Sequence, residues 1–259
     1  MPGACGTTFL RLPYSPSPSS RPAAELTLDE QENFLRVAPI LRTYPSKKGI
    51  TGTTRATLSD GVTTHDASIQ TIDQTLPKYE TALGVEINFQ DSYKLNIAAY
   101  RLARLLKIAH MVPVSIERAY GGKPASFTWW IDNIVLDEAD RLKKKLDPPD
   151  RDRWARQYHV MKIFDQLIYN VDRNATNILY DKEWRVFMID HSRAFRRLTK
   201  LPDARSMERC DAEFLARIMT LSLPDLRREL RPWLEESQIS AILARRDGRR
   251  WTRPSPFPA

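Results

Sequence analysis

The sequence predicts an α+β fold in which a strand-rich N-terminal half precedes a mainly helical C-terminal half. Short extended stretches separated by glycines fill much of residues 48–135, around a single amphipathic helix. After residue 151, apolar residues recur mostly at helical spacing. The 259 residues are 42% hydrophobic and 28% charged, an ordinary globular composition that allows one domain with a sizeable core.

Both ends of the chain are predicted to lie outside the folded domain. Residues 1–24 place prolines at positions 13, 16, 18 and 22 among serines, and such a segment buries too little apolar surface to offset the entropy of ordering. The last residues are rich in proline and arginine. We therefore expect a disordered tail at 1–24, a single domain at 25–246 and a flexible tail at 247–259.

The N-terminal half is predicted to contain two helices and several strands. The amphipathic helix at 91–107 has its apolar residues at helical spacing, and Asp91 or Ser92 is its expected N-cap. The remaining elements are a short helix at 26–41 and strands at 65–72, 111–120 and 125–135, the last two joined by a turn at Gly121 and Gly122.

The C-terminal half is predicted to begin with a charged, proline-broken segment at 140–150, which is either a linker or an exposed helix end. A long helix at 151–169 then delivers the chain to a polar loop. The other predicted elements are strands at 177–180 and 185–190 around a turn at Asp181 and Lys182, and helices at 208–221 and 224–246.

Charge and cysteine content exclude some classes of protein. Only Cys5 and Cys210 are present, so neither a disulfide framework nor a cysteine-rich zinc site organises the fold. The net charge of +8 predicts attraction to something anionic, which could be nucleotide phosphates, nucleic acid or an acidic lipid surface. There is no nucleic-acid recognition motif, and without a long apolar run we expect no transmembrane segment and a cytoplasmic location.

One loop carries the residues that point to chemistry. Asp172 follows the long helix, Asn177 comes five residues later, and Asp190 ends the second strand of a hairpin. Such a loop can bring one carboxylate near an attacking hydroxyl while an amide oxygen and a second carboxylate bind Mg²⁺. Phosphoryl transfer needs these parts, because its catalysis is mostly positioning and neutralisation of phosphate charge. Each residue taken alone is equally consistent with a capped polar turn or a strand-end carboxylate.

The letters around this loop resemble those of the atypical kinases. The segment NVDRNATN followed by MIDHSRAF is similar to the catalytic loop and metal-binding motif of the phosphatidylinositol 3/4-kinase, HipA toxin kinase and secretory-pathway kinase superfamily. Upstream, SYKLNIAAYRLARLL followed by VPVSIERAYGGKPASFTWWI resembles helix C, two strands and the hinge of an uncharacterised bacterial group with this fold. The resemblance covers residues 46–246 and is strongest at 164–196.

The resemblance implies a two-lobed protein-kinase-like fold that binds ATP and Mg²⁺ between its lobes. The sheet-rich N-lobe would span residues 25–132 and the mainly helical C-lobe residues 133–246. ATP would donate its γ-phosphate to a hydroxyl acceptor.

The same resemblance assigns a role to each site residue. Asp172 would be the catalytic base, and Arg173 would brace the loop or a phosphate. Asn177 and Asp190 would hold Mg²⁺. The hinge that contacts adenine would consist of Trp129, Trp130, Ile131 and Asp132.

Two positions depart from the kinase pattern. The sequence has Gln70 where a strand lysine would contact the phosphates, and Asn96 where a helix C glutamate would hold that lysine. Two amides could hydrogen-bond each other, but they supply no positive charge. Either another cation replaces the lysine, or the chain is a pseudokinase that binds nucleotide or a partner without turnover. The nearby cations are Lys47, Lys48, Arg55, Lys78 and Lys94.

Other features leave alternatives open. Gly49 and Gly52 lie in a stretch that either covers the phosphates or forms a plain hairpin turn. Arg193, Arg196 and Arg197 could contact phosphates or an acidic substrate, or form a solvated basic surface. A protein, a lipid, a sugar and a small metabolite are all open as acceptors. A basic nucleic-acid adaptor is the remaining alternative, and steep salt dependence of binding would distinguish it.

Overall fold

The computed structural model describes residues 22–23, 26–45, 53–81, 84–203, 209–248 and 255–256. The tails predicted at 1–24 and 247–259 lie almost wholly outside these residues. The N-terminal part contains helices α1 (Leu28–Val37) and α2 (Tyr93–Leu105). Its strands are, in chain order, β1 (Ile40–Pro45), β2 (Thr54–Ser59), β3 (Thr64–Gln70), β4 (Asp73–Thr81), β5 (Gly84–Ser92), β6 (Ser115–Tyr120) and β7 (Lys123–Trp129).

Five of these strands form one antiparallel sheet in the order β1-β2-β3-β7-β6. The turn between β6 and β7 lies at Gly121 and Gly122, as predicted, and both glycines have positive φ angles. Since only glycine adopts this backbone conformation readily, the pair allows a tight hairpin. The sheet therefore places the central strand β3 between β2 and β7.

Strands β4 and β5 form a separate two-stranded hairpin between β3 and α2, which the sequence did not predict. Asp73 at its start pairs with Ser92 at its end. The Ser92 hydroxyl accepts a hydrogen bond from the backbone N–H of Lys94 at 3.3 Å, so Ser92 is the N-cap of α2. Of the two expected caps, the structure therefore uses Ser92 and not Asp91.

Helix α2 lies at the centre of the core. Nine of its thirteen residues are buried, so it is covered on nearly every side rather than being amphipathic at the surface. Helix α1 is held to it by the buried carboxylate of Glu32, which accepts hydrogen bonds from Tyr100 at 2.8 Å and from Arg104 at 2.5 Å. Both helices also pack against strands β6 and β7 of the sheet.

The C-terminal part is mainly helical. Its helices are α3 (Glu138–Lys144), α4 (Arg151–Ile168), α5 (Ala212–Met219), α6 (Leu223–Leu230) and α7 (Glu236–Arg246). Its strands are β8 (Ile134–Asp137), β9 (Ile178–Asp181), β10 (Val186–Met188), β11 (Arg209–Cys210) and β12 (Ser255–Pro256). Strands β10, β9 and β8 form a small antiparallel sheet in that order, and β11 pairs with β12 in parallel.

Two predicted elements are each divided in the structure. The strand predicted at 125–135 is β7 and β8, with a connection at residues 130–133. The helix predicted at 224–246 is α6 and α7, because Pro232 lacks a backbone donor and Gln238 caps a new helix start. The side chain of Gln238 accepts a hydrogen bond from the backbone N–H of Glu235 at 2.9 Å.

The segment predicted as a linker or exposed helix end is partly helical. Helix α3 ends at Lys145, whose φ of 53° is left-handed, and the chain then runs through the prolines to α4. Among the described helices, none combines the length and the apolar character that crossing a membrane requires.

Candidate active site

The loop after α4 is shaped by asparagine side chains. Helix α4 ends at Tyr169, which is left-handed with φ 51°. The Asn170 side chain donates to Asp165 at 2.9 Å and accepts from the backbone N–H of Asp172 at 3.1 Å. Asn174 then caps the short 3₁₀ turn Ala175–Asn177. These local hydrogen bonds fix where the loop presents Asp172 and Asn177.

Arg173 lies beneath this loop rather than at its surface. Its guanidinium makes two hydrogen bonds to Asp165, at 2.9 and 3.0 Å, and each side chain of the pair is 10% exposed. It also donates to the backbone oxygens of Asn177 at 3.1 Å and Ile189 at 2.6 Å. Because these contacts occupy the guanidinium, the position of Arg173 favours the first of its two predicted roles, bracing the loop, over contact with a phosphate.

Asp172, Asn177 and Asp190 are brought together through this brace. The side-chain amide of Asn177 donates to the backbone oxygen of Asp172 at 3.5 Å. The backbone N–H of Ile189 donates to the backbone oxygen of Asn177 at 3.1 Å. Asp190 follows β10 with a left-handed φ of 56°, and its carboxylate accepts a long hydrogen bond from Ser192 at 3.4 Å. A left-handed φ is unfavourable for a residue other than glycine, and such strained positions cluster at functional sites.

The pKa values of two carboxyl groups around the loop, Asp172 and Asp91, are raised. Burial raises the pKa of Asp172, Asp190 raises it further, and the Arg193 guanidinium partly opposes both effects. Burial likewise raises the pKa of Asp91, a carboxylate that lies close to Asp190 and Asp172. Negative charge is therefore concentrated where a cation would be favourable.

Asp91 is a site residue that sequence reasoning missed. It is 5% exposed, and its Oδ1 has no hydrogen-bond partner within the described residues, while Ser192 hydrogen-bonds the carboxyl group. The sequence suggested only a helix cap here. Its neighbours lie about a hundred positions later in the chain, so no local pattern could have identified its role.

The predicted amide pair is present. The Asn96 amide donates to the Gln70 oxygen at 2.5 Å, and the Gln70 amide donates to Thr53 at 3.2 Å. The Asn96 oxygen in turn accepts the backbone N–H of His191 at 2.7 Å. His191 is fully buried, and burial lowers its pKa well below the usual range, so the residue next to Asp190 is neutral. A chain of neutral hydrogen bonds thus joins β3, α2 and the segment after Asp190.

The four predicted hinge residues do not share one environment. Trp129 pairs with Ala67, whereas Gln70 pairs with Ser126, so Trp129 lies on the opposite face of the sheet from Gln70. There it stacks on His65 at 3.8 Å and meets Phe34 of α1 edge-on at 5.6 Å. The structure therefore packs Trp129 into the core instead of presenting it to the Gln70 face.

Trp130 does lie on the Gln70 side. Arg55 pairs with Ser68, two residues before Gln70 on β3, so Arg55 shares the face of Gln70, and its guanidinium lies 4.2 Å from the Trp130 ring. Asp132 is anchored by His65 at 2.8 Å, and Ile131 is partly exposed between them. Trp130 is thus the predicted hinge side chain that this face can use.

The three predicted replacement cations that the structure describes each pair with an acidic side chain. Arg55 donates to Asp66 at 2.6 Å, Lys78 pairs with Glu80 at 2.5 Å, and Lys94 pairs with Asp73 at 2.7 Å. Lys47 and Lys48 lie outside the described residues, as do Gly49 and Gly52. Arg193, which was not among these candidates, lies beside Asp172, with 3.7 Å between its Nη1 and the carboxylate.

The oxygen donors at this loop fit a magnesium ion. Asp190 contributes a carboxylate and Asn177 an amide oxygen, both hard ligands, and no ion pair joins Asp190 to a basic side chain in the described part of the chain. No group of three His, Cys, Asp or Glu side chains within the described ranges is placed to hold a metal alone. This pattern suits Mg²⁺, which usually binds one or two protein oxygens together with substrate phosphates and waters.

The chain has a kinase-like α+β fold with a sheet-rich N-lobe and a mainly helical C-lobe. Its defining features are the sheet order, helix α2 beside Gln70 and the loop bearing Asp172 and Asn177. The sequence model of the phosphatidylinositol 3- and 4-kinase family matches residues 65–228, and the chain belongs to this family. Both the predicted fold class and the predicted resemblance are confirmed.

Solved structures share this fold at low sequence identity. The structure of hydra Fam20 with sugar matches with a TM-score of 0.63 and 15% identity, covering 87% of this chain and 86% of that one. The Golgi casein kinase with Mn/ADP bound matches with a TM-score of 0.57 and 12% identity, covering 86% and 73%. The Helicobacter pylori proinflammatory kinase CtkA matches with a TM-score of 0.51 and 8% identity, covering 80% and 90%. No curated protein matches the chain in sequence.

Proposed function

We propose that the chain is an ATP- and Mg²⁺-dependent phosphotransferase that acts on a hydroxyl acceptor. The observation that carries this proposal is the grouping of Asp172, Asn177 and Asp190 by the buried Arg173 brace. Mg²⁺, when bound, would neutralise phosphate charge during transfer. The chain's own residues would position the nucleotide and the acceptor and move one proton.

The proposed reaction balances around one oxygen. The acceptor hydroxyl oxygen forms a bond to the γ-phosphorus, and the bond from that phosphorus to the β,γ-bridging oxygen breaks with its electron pair leaving on ADP. The hydroxyl proton passes to the Asp172 carboxylate, which is partly exposed and therefore within reach of an acceptor. Asn177 and Asp190 supply the metal-binding oxygens.

The nucleotide would lie beneath the Gln70 face of the N-lobe sheet. Trp130 and Arg55 lie on that face near the hinge, and a purine could stack there. ADP with manganese is bound to the Golgi casein kinase of the same fold, which supports a nucleotide as the ligand that we propose here. Proteins, lipids, sugars and small metabolites all carry hydroxyl groups and are candidate acceptors.

A pseudokinase is the second candidate function. It is favoured by the neutral Gln70–Asn96 pair, because an amide places no positive charge on the phosphates. In this account the protein binds nucleotide or a partner and its output is conformational. The two candidates differ only in turnover, since both use the same cleft.

The test is Mg²⁺-dependent ATP turnover and autophosphorylation of the whole chain, alongside nucleotide-induced thermal stabilisation. We expect Asp172→Ala and Asp190→Ala each to lower turnover by about a hundredfold or more, the usual scale for a general base or a charge-stabilising group. Asp152→Ala is the matched control, because Asp152 is exposed at the start of α4. Stabilisation without turnover would establish the pseudokinase. If the protein shows neither turnover nor stabilisation, the nucleotide site is rejected for both candidates.

A further inference from the structure

The amide at position 70 leaves the proposed reaction short of one positive charge. A transferring phosphoryl group spreads negative charge over three oxygens, and kinases oppose it with side-chain cations as well as metal. Arg173 cannot serve, because its guanidinium is buried against Asp165 and two backbone oxygens. The cation that contacts the phosphate must therefore be a side chain at a position other than 70, where kinases have their strand lysine.

Arg193 is placed for this role. Its Nη1 lies 3.7 Å from Oδ2 of Asp172, close enough for an ion pair but longer than a hydrogen bond. The side chain is 25% exposed, and its Nε is buried with no hydrogen-bond partner in the part of the chain that the structure describes. The guanidinium therefore keeps donor capacity beside the catalytic base.

The hairpin β4–β5 holds Arg193 at that position. Glu86 of β5 forms a close ion pair with the Arg193 Nη2 atom, and the guanidinium lies 5.2 Å from the ring of Phe89 on the same strand. Glu86 also pairs with Arg196, which is 8% exposed and donates to the backbone oxygen of Asn88 at 2.6 Å. One nitrogen of Arg193 is thus fixed by the hairpin while another faces Asp172.

The contact with Asp172 is the one that a phosphate can replace. A phosphate group carries more charge than a carboxylate and accepts the forked N–H donors of arginine in two parallel hydrogen bonds. The pairing with Glu86 is shorter and shielded by Phe89, so it persists while the outer edge of the guanidinium changes partner. No large movement of the chain is required.

We propose that Arg193 binds the γ-phosphate of ATP and supplies the side-chain cation that Gln70 cannot, with Glu86 as the residue that positions it. The inference rests on the proposed nucleotide site and adds a residue to it. Arg193 exchanges no atoms in the transfer. It neutralises the phosphate oxygens while the hydroxyl proton passes to Asp172 and the electron pair of the broken bond leaves on ADP.

The test measures the binding affinities of two nucleotides and does not depend on catalytic activity. Affinities of the whole chain for ADP and for the β,γ-imido analogue of ATP are measured by calorimetry with Mg²⁺, for the wild type and Arg193→Met. We expect the variant to lose about tenfold in affinity for the ATP analogue, the usual scale of a charged hydrogen bond, and less than about twofold for ADP. Arg193→Gln, which can still hydrogen-bond Glu86, is the second variant if the first unfolds, and we expect the same selective loss.

Arg197→Met is the matched control, because Arg197 is 54% exposed and pairs with Glu235 at 2.7 Å. Equal losses for both nucleotides, or no loss in the Arg193 variants, would overturn the inference. Selective loss in a protein that shows no turnover would support Arg193 and reject the phosphotransferase. Failure of the wild type to bind either nucleotide would overturn both proposals together.

Discussion

Asp172 is kept in an environment that opposes its ionisation. Burial raises its pKa, Asp190 and Glu86 raise it further, and Arg193 and Arg173 only partly compensate. A carboxyl whose pKa is higher in the folded state is stabilising when protonated and costs folding free energy when ionised. The stability cost is present at neutral pH and disappears below about pH 4, where the unfolded carboxyl is protonated too.

We therefore predict that Asp172→Asn raises the melting temperature at pH 7 while abolishing turnover, since the amide removes the ionisation cost and the base together. The increase in melting temperature should vanish as the pH falls through the Asp172 pKa. Calorimetric melting of both proteins across this pH range checks the prediction. Wild-type turnover should fall over the same range, because a protonated carboxyl cannot accept the hydroxyl proton. A variant that melts lower at pH 7 and the same at low pH would contradict this account of the residue.

The Gln70–Asn96 pair sets the contact between strand β3 and helix α2. Both side chains are under a tenth exposed, so a charge introduced at either position would be buried without a partner. A pair of opposite charges would be compensated, as in kinases that have lysine and glutamate at these positions.

We predict that Gln70→Lys and Asn96→Glu each lower the free energy of unfolding by about 3 kcal/mol, and that the double variant recovers at least about 1.5 kcal/mol of the summed loss. Urea denaturation of the four proteins gives this double-mutant cycle. Strict additivity would show that the two side chains do not face each other.

Glu86 provides the charged contacts of hairpin β4–β5 with the C-lobe, beside the hydrogen bonds that Gln90 and Ser92 make. The carboxylate binds Arg193 and the nearly buried Arg196, and its loss leaves both guanidiniums without their shared partner. We predict that Glu86→Gln costs about 1–3 kcal/mol, less than a fully buried pair because Glu86 is 27% exposed. Hydrogen exchange should become faster in residues 73–92.

Glu80→Gln on the same hairpin is the control for that experiment. Glu80 pairs with Lys78, and both side chains are more than half exposed, so its loss should cost under about 0.5 kcal/mol. Equal protection of the hairpin in the two variants would mean that Glu86 does not anchor it.

How far the sequence predicted these elements depends on the separation of the residues involved. Asp172, Asn177 and Asp190 lie within one short segment, so their order and spacing were visible, although their catalytic roles stay predictions. The hairpin was missed because Val85 and Ile87 are exposed and Pro77 interrupts β4, which hides the alternation that marks a half-buried strand. The contact between Glu86 and Arg193 joins residues 107 positions apart, and no local pattern encodes it.

The predicted hinge depended on strand register, which the sequence does not reveal. Trp129 and Trp130 are adjacent and chemically alike, and only the register of β7 against β3 decides which one lies on the Gln70 face. A shift of one residue would exchange them. The sequence predicted the segment as a hinge, and the pairing of β7 with β3 decides which of its two tryptophans lies on the Gln70 face.

Across the whole molecule, the two lobes are joined at the site itself. The backbone N–H of Ser92 donates to Ser192 at 2.9 Å, and that of Met188 donates to Met111 at 2.7 Å. The Gln238 side chain bridges Gln90 of the hairpin at 3.0 Å and the backbone of Phe195 at 2.9 Å. These bonds, together with the Asn96 link to His191, fix the Gln70 face over the Asp172 loop. The proposed nucleotide site would therefore already be formed before the ligand binds.

The measurement that tests this account most directly is the Mg²⁺ dependence of ADP binding by the wild type and by Asp190→Asn, followed by calorimetry. If Asn177 and Asp190 hold the metal against the phosphates, Mg²⁺ should raise the affinity of the wild type for ADP by about tenfold or more, and the variant should lose that gain while keeping its fold. Binding that is equally tight in EDTA, or a gain from Mg²⁺ that survives in Asp190→Asn, would contradict the assignment of this loop as the metal and phosphate site.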